Sequence, residues 1–191
     1  WTTPERLIYS FRSPGSGPAV MRGRLLSIRD YYTNTVELRW NETTGVLTQV
    51  VDTVRGVHDF RYNPGGLLTS VTFTNGPSAW VMDFAYDTTN RLKSHSLANT
   101  SGLYTNVNTT WQFRYGTNGL LAQIIDPRSS TNSTVQYDHY GRKTNQVDAL
   151  NRATGTRYGT PGPRQITHTD PGTNAWVESY DRRGRLLAQQ D

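Results

Sequence analysis

The sequence predicts an all-β protein made of tandem antiparallel β-hairpins forming a continuous curved or spiralling sheet, and three observations predict it. Aromatic residues recur at Trp40, Tyr62, Tyr86, Tyr115, Tyr137, Tyr158 and Tyr180, at spacings of 22, 24, 29, 22, 21 and 22 residues. Each is followed by a polar, turn-like stretch and then by the start of a second strand, which is the mark of a repeat array. Helical periodicity is nearly absent, because Gly, Pro, Asn or Thr interrupts every window long enough to show a 3.6-residue period.

Residues 1–35 read as one degenerate hairpin or as a segment that covers a sheet edge: Phe11, then the loop SPGSGP, then GRLLSIRD at 23–30. Residues 36–191 read as about seven hairpins. In YDHYGRKTNQVD (137–148), Tyr137 closes a strand, Asp138 caps backbone amides at the first turn position, and Gly141 takes the left-handed conformation of a type I turn with a bulge. The residue four places after the aromatic tolerates positive φ in six copies: Gly66, Asn90, Gly119, Gly141, Gly162 and Gly184. The Trp40 copy has one extra residue and uses Gly45. Second strands start at Leu47, Leu68, Leu92, Leu121, Lys143, Arg164 and Leu186, and many copies end at an Asp (Asp52, Asp126, Asp148, Asp170, Asp191). Two-residue alternation in VMDFAY (81–86) and WQFRY (111–115) fits strands with two unlike faces.

The copies fall into two types. Three carry Asp directly after Tyr and Arg four residues beyond it: Asp87 with Arg91, Asp138 with Arg142, Asp181 with Arg185. The others carry Asn or Gly there and place Arg before the aromatic, at Arg39, Arg61, Arg114 and Arg157. From Tyr86 onward the types alternate, which predicts an Asp–Arg pair across the turn in the first and a strand Arg meeting a neighbouring hairpin in the second. Exposed pairs contribute about 0–1 kcal/mol each, so they would set register more than stability.

The stretches YDRRGRLLAQQD (180–191), YDHYGRKTNQVD (137–148) and YDTTNRLKS (86–94) resemble the YD repeat of the RHS family. That repeat also occurs in the shell components of insecticidal toxin complexes and in teneurins. The resemblance covers roughly residues 36–191 and implies a β-sheet spiralling into a hollow shell that encloses a toxin or other cargo domain, with secreted or cell-surface, bacterial localisation. On that reading the partners are flanking repeats, of this chain or another copy, through open strand edges.

Composition excludes several alternatives. Apolar residues make up 34 % of the 191, enough for one buried sheet face but not a thick core. With no Cys there are no disulfides, thiolate nucleophiles or thiolate metal sites. The net charge of +5 rests on Arg residues that are dispersed, with Arg142–Lys143 and Arg182–Arg183 the adjacent basic pairs, unlike a nucleic-acid tract. No stretch approaches the ~20 apolar residues of a membrane span. The N-terminus lacks a signal pattern and reads as a cut within a longer chain. The four His show no metal spacing, although His168 and Asp170 share a strand face. Eight of the fifteen acidic residues occupy repeat positions that turn geometry explains, and Asp170-Pro171-Gly172 reads as a turn rather than an autoproteolytic signature. No nucleophile elbow, P-loop or dinucleotide fingerprint is present, so the expectation is a non-catalytic scaffold without cofactor or metal. The alternative is an adhesive module binding glycan or protein through exposed Trp80, Trp111 and Trp176. Sequons at Asn41, Asn99, Asn108 and Asn132 are of the number chance supplies in a chain rich in Asn and Thr. At the repeat position, the aromatics are expected to pack against the next hairpin rather than to bind sugar.

Overall fold

The structure is a computed structural model that describes residues 6–99 and 109–191. It divides into two compact units, Trp1–Thr109 and Thr110–Asp191. The first unit holds β1 (Ile8–Phe11), β2 (Leu25–Arg29), β3 (Thr35–Trp40), β4 (Leu47–Asp52), β5 (Gly56–Tyr62), β6 (Leu68–Asn75), β7 (Ser78–Tyr86) and β8 (Leu92–Asn99). The second holds β9 (Trp111–Tyr115), β10 (Leu121–Ile125), β11 (Thr131–Tyr137), β12 (Lys143–Asp148), β13 (Ala153–Tyr158), β14 (Gln165–Thr169), β15 (Ala175–Tyr180) and β16 (Leu186–Gln190). Within each unit the strands lie in chain order and each pairs antiparallel with the next, so the protein is all-β and made of tandem hairpins. The one helical element among the described residues is a 3-10 turn, Ala19–Met21.

Alternation gives each sheet two unlike faces. In the first unit one cross-strand row reads Leu38, Val50, His58, Phe73, Trp80, and the next reads Phe60, Val71, Met82, Leu97. The strand-ending Trp40, Tyr62 and Tyr86 share this aromatic face. The reverse face is polar: Arg39 donates to Gln49 Oε1 at 2.6 Å, and Gln49 donates to Asp59 Oδ1 at 2.6 Å. The strand Arg of this hairpin therefore meets its own second strand and touches the neighbouring hairpin only through Gln49. Arg61, Arg114 and Arg157 are exposed.

Neither unit has a thick core. Among the described residues only Met21 and Ile125 are buried apolar side chains. The sheet faces are half-buried, so the fold is held rung by rung, each cross-strand pair contributing about 0.2–1 kcal/mol.

Before β3, residues 8–29 form the hairpin β1–β2, joined by a long loop. That loop lies against the β3–β4 turn: Arg12 pairs with Glu42 at 3.0 Å, and Val20 crowds Gly45. It thus covers a turn and leaves β1 as the outer strand.

The turn after each aromatic follows one plan. The residue after the aromatic donates its N–H to the carbonyl five positions after the aromatic (six after Trp40, whose turn is one residue longer) and accepts at its own carbonyl from the left-handed residue, as in Asp138 N to Arg142 O (2.9 Å) and Gly141 N to Asp138 O (3.0 Å). The left-handed positions are Gly45, Gly66, Asn90, Gly119, Gly141 and Gly184. The Tyr158 hairpin departs from this plan and corrects the expectation for Gly162: there the left-handed residue is Gly159, at φ 73°. Pro161 and Pro163 fix their own φ and disfavour the helical region for Thr160 and Gly162 before them, which the shared turn cannot accommodate. The loop closes two residues later, Gly159 N to Gln165 O at 2.8 Å, and β14 starts at Gln165 rather than Arg164.

Candidate functional site: the contacts between hairpins

The strand-ending aromatics join successive hairpins. Tyr62 donates its hydroxyl to Leu47 O (2.9 Å), Tyr86 to Leu68 O (2.8 Å), Tyr137 to Leu121 O (2.9 Å) and Tyr158 to Lys143 O (3.1 Å), while Trp40 Nε1 donates to Leu25 O (2.9 Å). In each case the donor ends a hairpin's first strand and the acceptor begins the second strand of the preceding hairpin. The expectation that the aromatic packs on the next hairpin is reversed in direction. Tyr and Trp are interchangeable here because both combine a large apolar body with a donor at the far end.

Arginine adds to two of these clasps. The Arg24 guanidinium lies 4.7 Å from the Trp40 ring centroid, and that of Arg142 4.1 Å from the Tyr158 ring. Each Arg immediately precedes the residue whose carbonyl accepts the aromatic's proton. Arg142 is held by Asp138, which accepts its Nε–H at 2.8 Å; Arg91 and Arg185 donate to Asp87 and Asp181 at 2.7 Å.

A second series of turns has no loud signal in the sequence. At the opposite end of the strands the Asp residues do not merely end strands; Asp30, Asp126, Asp148 and Asp170 open turns of the same plan, with Thr33, Ser129, Asn151 and Thr173 at positive φ. The Asp carboxylate accepts the backbone N–H four residues on, and its second oxygen accepts a side chain: Asn34 on Asp30 (2.7 Å), Arg152 on Asp148 (2.7 Å), Asn174 on Asp170 (2.9 Å). Arg128 serves Asp126 from two residues on, at 3.0 Å. The 22-residue repeat is therefore two half-repeats of about 11, seen in the spacing of Asp30, Asn41, Asp52 and Asn63.

Bonds of this kind hold the carboxylates of Asp52, Asp87, Asp148, Asp170 and Asp181 below the ordinary Asp value of 3.8. For Asp52 the leading cause is the Val54 amide, for Asp87 the Arg91 amide, for Asp148 the Arg152 side chain, for Asp170 the Asn174 side chain and for Asp181 the Arg185 amide. For Asp126 and Asp138 burial is the largest single influence and raises the value, but hydrogen bonds from Ser130, Arg128 and Arg142 outweigh it.

One contact breaks the series. The carbonyl of Gln165, which begins β14, already closes the Gly159 loop, and Tyr180 instead donates to Glu178 Oε2 at 2.6 Å. The same oxygen faces His168 Nε2 at 3.1 Å, His168 Nδ1 lies 3.5 Å from Thr156 Oγ1, and the His168 ring stacks on Trp176 at 5.2 Å. Glu178 is held below its ordinary value chiefly by Tyr180, whose phenol is pushed up by Glu178 in turn. Only the irregular loop at Pro161 and Pro163 hints at this in the sequence.

The other candidates do not converge. His168 turns to Glu178 while Asp170 caps its own turn, and no three His, Cys, Asp or Glu side chains gather among the described residues. Trp80 lies in the first unit, opposite Phe73; Trp111 on β9 and Trp176 on β15 are half-buried and six strands apart in the second. Gln136, Asn145, Gly155 and Thr169 form a row of mostly small or polar residues across β11–β14, leaving a depression of about 680 Å³. Asn108 and the side chain of Asn99 lie outside the described residues. No described helix is long and apolar enough to cross a membrane.

An all-β array of clasped hairpins, most of them Asx-capped, is thus the class of protein the geometry defines. Solved structures share this fold. A crystal structure of TcdB2-TccC3 without its hypervariable C-terminal region matches at TM-score 0.64 and 14 % identity, over 98 % of this chain and 10 % of that one. The Photorhabdus luminescens Tc holotoxin pore with the TccC3 mutation D651A matches at TM-score 0.61 and 14 % identity, over 99 % and 10 %. A TcdB2-TccC3-TEV crystal structure matches at TM-score 0.61 and 15 % identity, over 98 % and 10 %. The chain spans about a tenth of the length of these structures. No family model matches the sequence, and no curated protein matches it.

Proposed function

We propose that this chain is a non-catalytic section of an RHS/YD-type shell wall, a β-sheet scaffold that encloses or presents a toxin or other cargo domain outside a bacterial cell. The observation that carries the reading is the clasp: five strand-end aromatics each grip the preceding hairpin in the same way, which is what a wall lengthened hairpin by hairpin requires. The likeness of fold to Tc toxin structures supports it. Shells of this kind place the repeats around a separate cargo, so the residues at repeat positions act in wall assembly, and flanking repeats are the partners. The adhesive reading needs a gathered cluster of exposed tryptophans; Trp111 and Trp176 stand six strands apart.

The test is an electron cryomicroscopy structure of the natural full-length chain. We expect further hairpins on both sides of this section and a polypeptide of different fold on one face of the wall. A free-standing sheet with both faces in solvent, together with glycan binding lost in Trp80→Ala, overturns the shell reading in favour of the adhesive one.

A further inference from the structure

We propose that the depression between the β13–β14 loop and the β15–β16 turn is a binding site for a phosphate group, held by Arg164 and Arg182. The site goes beyond the wall reading and does not rest on it.

The site begins with a clasp broken inside the array. In two intact clasps an arginine precedes the accepting residue and the donor ring lies on it: Arg24 under Trp40, and Arg142 under Tyr158. Arg164 holds the same position, directly before Gln165 at the start of β14. Its ring is turned away. The Gln165 carbonyl closes the Gly159 loop, so the Tyr180 hydroxyl goes to Glu178, and Tyr180 keeps only its backbone N–H on the Arg164 carbonyl, at 2.9 Å. The turn carboxylate is missing as well, because Gly159 follows Tyr158 where Asp138 follows Tyr137. Among the described residues no ring lies on the Arg164 side chain and no carboxylate pairs with it. Arg164 is exposed although β15 and β16 lie beyond it, so its exposure comes from the redirected tyrosine.

Beside it lies a depression of about 430 Å³, lined by Arg142, Arg164, Arg182, Asp181, Tyr158 and Tyr180 among others. Arg182 stands at the tip of its turn, where His139 stands in the β11–β12 turn, and both are exposed. Charge selects the ligand. Arg142 is matched by Asp138 at 2.7 Å, and Asp181 by Arg185 at 2.7 Å. Arg164 and Arg182 therefore leave two positive charges on one depression. A phosphate monoester carries about −1.5 to −2 at neutral pH and three strong acceptor oxygens. Two guanidinium forks can each meet it with paired N–H donors, whereas a carboxylate brings one charge and two oxygens, suited to a single fork. Tyr158, Tyr180 and Ile166 border the same space and give the organic part of a monoester an apolar surface.

The test is titration of the isotope-labelled chain with phenyl phosphate, inorganic phosphate and benzoate at low ionic strength, read at the backbone amides by NMR. We expect saturable shifts centred on Gly162, Arg164, Arg182 and Gly184, with benzoate about tenfold weaker than phenyl phosphate. Arg164→Gln and Arg182→Gln should each weaken phenyl phosphate about tenfold or more, the size of a lost hydrogen bond to a charged group. Arg114→Gln, on β9, makes the same change of charge far from the site and should leave binding unchanged. Phenyl phosphate tighter than inorganic phosphate assigns the site to an ester, and equal binding assigns it to the free ion; both uphold a phosphate site. Benzoate as tight as phenyl phosphate, shifts spread evenly over the turns at both ends of the strands, or a constant untouched by Arg164→Gln overturns it.

Discussion

The two units share their clasps and turns but differ in what fills the middle of their strands. In the first, the row Leu38, Val50, His58, Phe73 and Trp80 is almost wholly apolar. In the second, the corresponding aromatic face carries Thr156, His168 and Glu178, with Gln146 donating to Ser133 at 3.2 Å. The same hairpin is thus built on a greasy face and on a mixed one, where His168 stands between Thr156 and Trp176. The architecture therefore does not depend on the middle of the strand: it is fixed at the ends, where an Asx-capped turn sets register and an aromatic donor grips the neighbouring backbone. The middle decides how stable the section is and which conditions loosen it.

Acid should separate the units most. Asp52 and Asp87 are the depressed carboxylates of the first unit, whereas the second has Asp126, Asp138, Asp148, Asp170, Asp181 and Glu178. A carboxylate whose folded value lies below its unfolded one contributes stability above the unfolded value, and that stability is lost as pH falls through the folded value. Hydrogen exchange followed from about neutral pH to about pH 2 should show protection vanishing from β11–β16 before β3–β7. Simultaneous loss would mean that the mixed face carries no special acid sensitivity. The converse change acts on the first unit. Phe73→Ala removes a half-buried ring from the centre of the apolar row and should cost about 2 kcal/mol, less than the 3–5 of a fully buried ring. In urea unfolding, exchange should loosen β5–β7 and leave β11–β16 unchanged; an equal effect in both would show that the units do not differ in what holds their centres.

How far the sequence disclosed this differs between the two ends of the strands. At one end the signals are loud: an aromatic with Asp, Asn or Gly after it and Gly at the left-handed position. Strand starts at Leu47, Leu68, Leu92, Leu121, Lys143 and Leu186 coincide with the structure for that reason. At the other end the same turn is built with Thr33, Ser129, Asn151 and Thr173 at the left-handed position, and of these Asn151 alone is of a type that favours positive φ. The turn is imposed there by the preceding Asp, whose carboxylate binds the amide four residues on, so Asp126, Asp148 and Asp170 looked like strand ends. Gly162 misled for the opposite reason: spacing placed a Gly where the left-handed residue belonged, but two nearby prolines had already reshaped the loop. The Glu178 contact was invisible because Tyr180 occupies an ordinary repeat position, and only the loss of its usual acceptor redirects it.

The redirected tyrosine gives the finest comparison. Tyr137 donates to a neutral carbonyl and Tyr180 to a carboxylate, so the two clasps should part company with pH. Tyr137→Phe removes a neutral hydrogen bond and should cost about 1 kcal/mol at any pH between about 3 and 7. Tyr180→Phe removes a bond to Glu178, whose value lies below its ordinary 4.5 chiefly because of that phenol. Its deficit should be full above that ordinary value and shrink as Glu178 is protonated, since a neutral carboxyl accepts the phenol proton more weakly. Stability of both variants measured against the parent at several pH values decides it. Parallel deficits would show that Glu178 only substitutes for a carbonyl. A deficit in Tyr180→Phe alone that fades with acid would mark this hairpin contact as the one whose grip depends on a titrating group.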